Sequence, residues 1–482
     1  MEPRRRGAAL PALRPRRPRL GRAGMGRRRD PGGGREAPTV RTCGLLSAGS
    51  PPRRRGPGCP TGRAGRQRGC DRAGRTGGPP RPPLRRDAPL DPAPAMRVAL
   101  VHDWLTGMRG GERVLERIAA MFPDAPIHTL VWRRGSVSRG IESHEIRTSF
   151  LQRIPGAETR YRWLLPLFPR AIEGFDFTGF DAVISTSHAV ARAVLTPPGC
   201  FHLSYIHTPM RYIWELEAQY FPPGRFPWPL SAYVRRVCAD LRRWDVATSG
   251  RPHVLLANSA HVAARIRRHY GRDAEVVHPP VDVHRFRPGG APRERYLLAG
   301  AMAPYKRGEL AIEACARLGR PLTVAGTGQM ERALRRAAGR DVAFRGGWLD
   351  DEAMAGLYAT ARALLYPGEE DFGIIPVEAM AAGCPVIAYG VGGALETVGR
   401  GADPAALDAV RRGGAAVVPG GVLFGTQSAR ALADAIALFE RATFDPQALA
   451  RHAAPFAPDR FDRDFRESFQ RGFAAWRAAR GA

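Results

Sequence analysis

From Met96 onward, short apolar runs alternate with stretches whose apolar positions recur every three or four residues. VALVHD (98–103), PIHTLVW (126–132), AVIST (182–186), HLSYIH (202–207) and VLLANS (254–259) have the length and content of buried strands. Between the first two, GGERVLERIAAMF places Val114, Leu115, Ile118, Ala119 and Phe122 on one helical face. The alternation breaks at HPPVDVHRFRPGGAPRER (278–295), where Pro and Gly mark a linker. It restarts with YLLAGA (296–301), LTVAG (322–326), VAFRG (342–346), ALLYPG (363–368) and PVIAYG (385–390). Two rounds of strand and helix predict an α/β chain of two Rossmann-like domains, 96–277 and 296–455, facing a central cleft at the carboxyl ends of their strands. In the closing segment, 456–482, Phe461, Phe465, Phe469, Phe473 and Trp476 recur at helical spacing, which predicts a terminal helix packed on the body.

Composition sets the first 95 residues apart. They hold 24 arginines against 6 acidic residues, a net +18 out of +29 for the chain, with no apolar periodicity. The expectation is a disordered Arg/Gly/Pro-rich extension, or upstream sequence read from a mistaken start with the chain proper beginning at Met96. The rival is a basic arm that binds nucleic-acid backbones, weakened by the absence of aromatics to stack bases. There is no apolar h-region to suggest export. Seven cysteines, three of them (Cys43, Cys59, Cys70) in this stretch and none in a CxxC pair, suggest the reduced thiols of a cytosol. No apolar run approaches the roughly 20 residues of a membrane span.

Candidate chemistry concentrates in PGEEDFGIIPVEAMAAGCPVIAYGVGGALE, residues 367–396. A strand ends at Tyr366, an acidic loop follows, Pro376 suggests a helix start and Gly383 its end. Glu370 falls in the loop and Glu378 in the expected first turn. A carboxylate at such a junction suits the hydroxyls of a ribose, and Glu378 fits that role. The plainer possibilities are that Glu378 only favours the helix dipole and that Glu370 is a solvated acid beside Glu369 and Asp371. Asp462-Arg463-Asp464 is a formal DxD, but on a helix its carboxylates point about 200° apart, which argues against metal chelation.

Glu370-x7-Glu378, followed by AMAAGCPVIA and GGALE, resembles the signature of retaining family 4 glycosyltransferases of the GT-B fold, over residues 96–482. YIHTPMRYIW and PYKR are most similar to bacterial mannosyltransferases that build O-antigen or exopolysaccharide. The resemblance implies that Glu378 binds the nucleotide ribose and that Glu370 lies by the sugar being transferred. It places the backbone N–H groups of Phe372, Gly373 and Ile374 near donor sugar and phosphate, and makes His207 the cleft histidine. Lys306, the one lysine beside 73 arginines, matches the phosphate-binding lysine. A compact ammonium aimed at a departing diphosphate would stabilise its charge. The Arg that often precedes this lysine is replaced by Gly300-Ala301, which leaves Arg307 or Arg211 as the second cation. Gly326-Thr327-Gly328 and Gly110-Gly111 are candidate donor loops.

Members of this family are described as working by front-face displacement, without cofactor or bound metal. The expected substrates are a nucleotide-sugar, GDP-mannose in the first place, and a glycan or lipid-linked glycan acceptor. RYRWLLPLFPRAIEGF (160–175) mixes Trp163, Leu164, Leu165, Leu167 and Phe168 with Arg160, Arg162 and Arg170. It suits either an anionic membrane surface or ordinary core packing, so the expected location is the cytoplasm, or the inner face of its membrane. Oligomeric state is left open. The alternatives are a nucleotide-sugar epimerase or phosphorylase of the same architecture, and nucleic-acid binding through the basic arm.

Overall fold

The structure is a computed structural model that describes residues 96–482, apart from 223, 225, 226, 290–292, 348 and 482. The expectations for residues 1–95, including Cys43, Cys59 and Cys70, lie outside the described residues. The remaining cysteines, Cys200, Cys238, Cys315 and Cys384, are buried free thiols.

The first sheet contains β1 (Val98–His102), β2 (Ile127–Thr129), β3 (Ile146–Thr148), β4 (Ala182–Ser187), β5 (Phe201–Ile206), β6 (Val254–Ala257) and β7 (Glu275–Val276). All run parallel in the order β3-β2-β1-β4-β5-β6-β7. β1, β4 and β5 are buried at every position, as central strands covered on both faces must be. The second sheet contains β8 (Arg295–Ala299), β9 (Leu322–Ala325), β10 (Val342–Arg345), β11 (Ala361–Tyr366), β12 (Val386–Tyr389), β13 (Ala415–Val418) and β14 (Gly421–Phe424). Its order is β10-β9-β8-β11-β12-β14-β13, parallel except for the β13–β14 hairpin. Chain order therefore reverses between β1 and β4 in one sheet and between β8 and β11 in the other, and each reversal opens a crevice at the strands' carboxyl ends.

Every strand expected from the apolar runs is present, with ends shifted by up to three residues. β3, β7, β13 and β14 escape the pattern because they are edge or hairpin strands of two to four residues. The terminal helix, Pro458–Ala478, follows the second domain but completes the first. Phe461, Phe465 and Phe469 are buried in one cluster with Leu100, Leu203 and Tyr205. A Cβ on Gly472 would lie 2.8 Å from Val254, a measure of how closely the helix rides on β6. The return crossing is tied to the outgoing linker, where Val281 N–H donates to the Phe456 carbonyl at 2.9 Å.

On this helix Asp462 pairs with Arg117, and Asp464 with Arg460 at 2.6 Å, so the DxD carboxylates serve different guanidiniums. Segment 160–175 divides. Tyr161, Phe168, Ala171 and Ile172 enter the core, whereas Trp163 is 77% exposed. Among the described residues no helix is long and apolar enough to cross a membrane.

Candidate active site

The loops after β8 and β11 flank the crevice of the second sheet, and they bring Lys306 and Glu370 together. The Lys306 ammonium pairs with the Glu370 carboxylate and donates to the Tyr366 hydroxyl at 3.2 Å. Each side chain of the ion pair is only 16% exposed. Burial works against the charge on Lys306, but Glu370 and Tyr366 outweigh it and hold the ammonium above its usual pKa. Lys306 is thus a fixed cation at any physiological pH.

Backbone fit explains the lysine's placement. Gly368 presses on the turn, since a Cβ there would lie 2.8 Å from Lys306 Cα. Arg307, the next residue, adopts φ 52° and is the one non-glycine residue of positive φ among the described residues. Such a conformation costs on the order of 1 kcal/mol and is retained where neighbours enforce it. The Arg307 guanidinium turns to Glu309 (2.6 Å) and Gln427 (3.1 Å), while Gln427 donates to Pro367 O at 2.9 Å. Arg211 instead reaches the acidic loop from the first domain, 3.5 Å from Asp371. Of the two candidate second cations, then, Arg211 faces the loop of Glu370 and Arg307 braces its base.

Gly326-Thr327-Gly328 meets the same turn from the other side. A Cβ on Gly326 would strike Gly300 O at 2.1 Å and one on Gly328 would strike Met302 O at 2.5 Å, while Met302 N–H donates to Thr327 O at 2.9 Å. The helix beyond it begins at Glu331, so what this triplet visibly supports is the loop that carries Lys306.

The helix after the acidic loop corrects the expected register. It runs Ile374–Ala381 with Gly373 as its cap at φ 92°, two residues before Pro376. Glu378 therefore lies in the second turn, beyond the reach of the exposed N–H groups. Its carboxyl accepts from the Tyr358 hydroxyl at 3.0 Å, and burial raises its pKa. Phe372 is a core side chain, 3% exposed, so only its backbone, with that of Gly373 and Ile374, is available at this end of the helix. The loop rests on Gly392-Gly393, where Gly393 N–H donates to Glu370 O at 2.9 Å and any Cβ would clash.

Across the cleft, the crevice between β1 and β4 holds imidazoles. His207 follows β5, its ring 6.2 Å from that of His188 and 5.2 Å from that of Tyr205. Burial, with His188 and His102 nearby, drives its pKa well below the usual histidine value, and its Nε2 is buried without a hydrogen-bond partner. Gly110 and Gly111 open the helix Gly110–Met121 at this point. A Cβ on Gly111 would lie 3.4 Å from that Nε2, and one on Gly110 would lie 2.7 Å from the Ile374 side chain of the second domain. A side chain at Gly110 would require the end of the Ile374 side chain to shift, a measure of how closely the two domains approach here.

Asp103 fixes the neighbouring loop. Fully buried, it accepts from the N–H groups of His188, Ala189, Val190 and Ala191 at 2.7 to 2.9 Å and stands 3.3 Å from His188 Nδ1. Sequence reasoning missed Asp103, His188, Tyr358 and Tyr366. Their signal was position, since each follows or ends a strand or faces one of the expected residues, but the pairing of elements is what reveals it. Among the described residues no group of three or more His, Cys, Asp or Glu side chains is arranged to hold a metal ion.

Comparison with known proteins bears on the family and the fold. Residues 108–285 match the family described as Glycosyltransferase Family 4, and residues 293–439 match Glycosyl transferases group 1. The chain is 35% identical over 174 residues to the D-inositol 3-phosphate glycosyltransferase of Streptomyces bingchenggensis, covering 29% of this chain and 38% of that protein. It is 33% identical over 174 residues to the one from Streptomyces scabiei, covering 29% and 39%. The match therefore spans about two fifths of those relatives' length, 38% and 39%. Among solved structures, sucrose-phosphate synthase of Thermosynechococcus elongatus aligns with TM-score 0.56 at 18% identity, over 79% of this chain and 100% of that one. Anabaena HepE in complex with UDP aligns with TM-score 0.54 at 17% identity, over 78% and 100%. The fold is that of both.

Proposed function

We propose, for a chain of GT-B fold whose two domains match the Glycosyltransferase Family 4 and Glycosyl transferases group 1 models, a retaining transfer of a sugar from a nucleoside-diphosphate donor to a glycan or lipid-linked glycan acceptor. The observation that carries this reading is the junction of Lys306 and Glu370 at the switch point between β8 and β11. There a fixed ammonium meets the departing diphosphate, and Glu370 stands by the sugar. Glu378 takes the ribose, with the backbone at Phe372, Gly373 and Ile374 close to sugar and phosphate. Gly110 and Gly111 admit the donor from the opposite wall, and His207, held neutral, offers a hydrogen bond to the sugar in flight. Front-face displacement, in which the leaving phosphate assists the incoming hydroxyl, needs no further base and no metal.

Mannose from GDP-mannose is the proposed donor, on the strength of YIHTPMRYIW and PYKR. The UDP held by HepE makes UDP-sugars the principal competitor. Labelled GDP-mannose incubated with a lipid-linked glycan should yield labelled glycan with retained anomeric configuration. Conversion of the labelled donor to its epimer in the absence of acceptor would indicate an epimerase instead. A thermal-shift series with GDP, UDP and ADP ranks the base, since a ligand that binds only the native state raises Tm.

A lipid-linked acceptor is favoured by the exposed aromatics of the first domain. Trp163 and Trp228 are 77% and 79% exposed, near Arg162 and Arg235 in sequence, on segments that share one core cluster. The proposed place of work is the cytoplasmic face of the membrane. Flotation with anionic vesicles tests this, and absence of binding removes the membrane from the account.

A further inference from the structure

The two acids that flank Glu370 have a role the transfer chemistry does not use. Glu369 and Asp371 both reach into the first domain, to Arg265 on the helix Ala260–Tyr270. Arg265 Nη2 lies 2.8 Å from Glu369 Oε1, and Nη1 pairs with Asp371 while donating to Thr208 Oγ1 at 3.3 Å. Thr208 is the residue after His207. With its side chain 4% exposed, Arg265 also stands 3.5 Å from Glu215 of its own domain.

Neighbouring contacts close on the same loop. Ser259 Oγ donates to Asp371 O at 2.5 Å, His261 Nε2 is 3.2 Å from Glu369, and Arg211 is 3.5 Å from Asp371. His261 and Arg265 together hold the Glu369 carboxyl down to about 2. The N–H groups of Ala260 and His261 bind the Glu396 carboxylate at 2.7 and 2.9 Å, and Glu396 belongs to the turn whose Gly392 and Gly393 prop the Glu370 backbone. The N-terminal end of one helix of the first domain thus holds both the acidic loop and its support.

The Arg265 guanidinium is buried while Glu369 and Asp371 are 37% and 18% exposed, so its desolvation and solvent screening of the acids leave little net stability from the pairing. Its use is more often to fix a geometry. We propose that Arg265 is a positioning residue, one that holds Glu370 at the donor sugar only when the two domains are closed. This rests on the proposed transferase function. In an open cleft Arg265 keeps Glu215 and Thr208, while Glu369 and Asp371 return to water. On closure its planar fork spans the two carboxylates on either side of Glu370, a geometry that an ammonium cannot match.

The test uses the full chain, with Arg265→Met, Arg265→Lys and the double variant Glu369→Gln/Asp371→Asn, which attacks the clamp from the second domain. We expect Arg265→Met and the double variant to lose about 100-fold in kcat, the scale of an ångström misplacement. KM for the donor and the Kd for GDP or UDP should stay within about threefold, because the diphosphate site lies in the second domain. Arg265→Lys should recover part of kcat, and small-angle scattering of nucleotide-bound Arg265→Met should show a larger radius of gyration than wild type. Wild-type kcat in Arg265→Met, or a loss of nucleotide affinity and Tm parallel to kcat, would overturn the clamp. If wild type transfers no sugar, the transferase reading falls by itself, and an unchanged radius of gyration would then sink the clamp independently.

Discussion

The two sheets repeat one topology around their switch points, yet the two crevices differ in charge. In the second domain an ammonium and a carboxylate meet, at Lys306 and Glu370, both held by backbone fit. In the first domain the crevice is lined with imidazoles, and burial lowers the pKa of His188 and drives that of His207 well below the usual value. On the proposed reading, one wall answers a diphosphate, and the other answers hydroxyls. The same scaffold provides both because the crevice is set by strand order and its contents by the residue that follows each strand.

The largest effect expected from breaking this contrast is on the charged side. Lys306→Ala should lower kcat/KM about 1000-fold, the upper scale for losing one preorganised group that faces developing charge, as read by steady-state transfer. Acid should then separate the domains. His128 and His202 of the first sheet have their pKa lowered from 6.5 to about 4 and about 3, chiefly by burial. The unfolded chain therefore binds more protons below pH 6.5, and stability falls as pH drops through that window toward 4. His128 alone is worth roughly 3 kcal/mol at pH 4. Amide exchange at pH 5 should open β1 to β5 before β8 to β12.

On the neutral side, His207→Ala should reduce kcat about 100-fold with donor KM unchanged. An equal rise in KM would move His207 from the chemistry to donor binding. The smallest effect is at Glu378, where Glu378→Ala should weaken nucleoside-diphosphate binding about tenfold by calorimetry and leave the domain folded.

Much of this was legible in the sequence, for stated reasons. Central parallel strands are buried on both faces and appear as continuous apolar runs, so β1, β4, β5, β8, β11 and β12 stood out. The edge strand β3, with Arg147 at its centre, carries no such run, and the apolar AAVV and GVLF of β13 and β14 are only four residues each. The terminal helix was visible from its phenylalanine stripe, but not that it belongs to the first domain, because periodicity says which face is buried and never against what. That Lys306 and Glu370 each face the cleft followed from two motifs at strand ends, whereas their ion pair did not. Arg265 did not, although it falls three residues after Val262 and beside Ile266 on a buried face, because 73 arginines mask any single one. The register of Glu378 was missed for a local reason. Pro376 is tolerated inside the first turn, so it marked the helix start two residues late.

The lysine offers the most direct test of the central claim that a compact cation at the β8–β11 switch point drives transfer. The measurement is the transfer rate from labelled nucleotide-sugar for Lys306→Arg beside wild type. With Gly368 packed on its turn and Glu370 and Tyr366 closing around its ammonium, the site has the shape of a lysine, and a planar guanidinium should cost at least about tenfold in kcat/KM despite its charge. An arginine variant with wild-type kinetics would contradict the account.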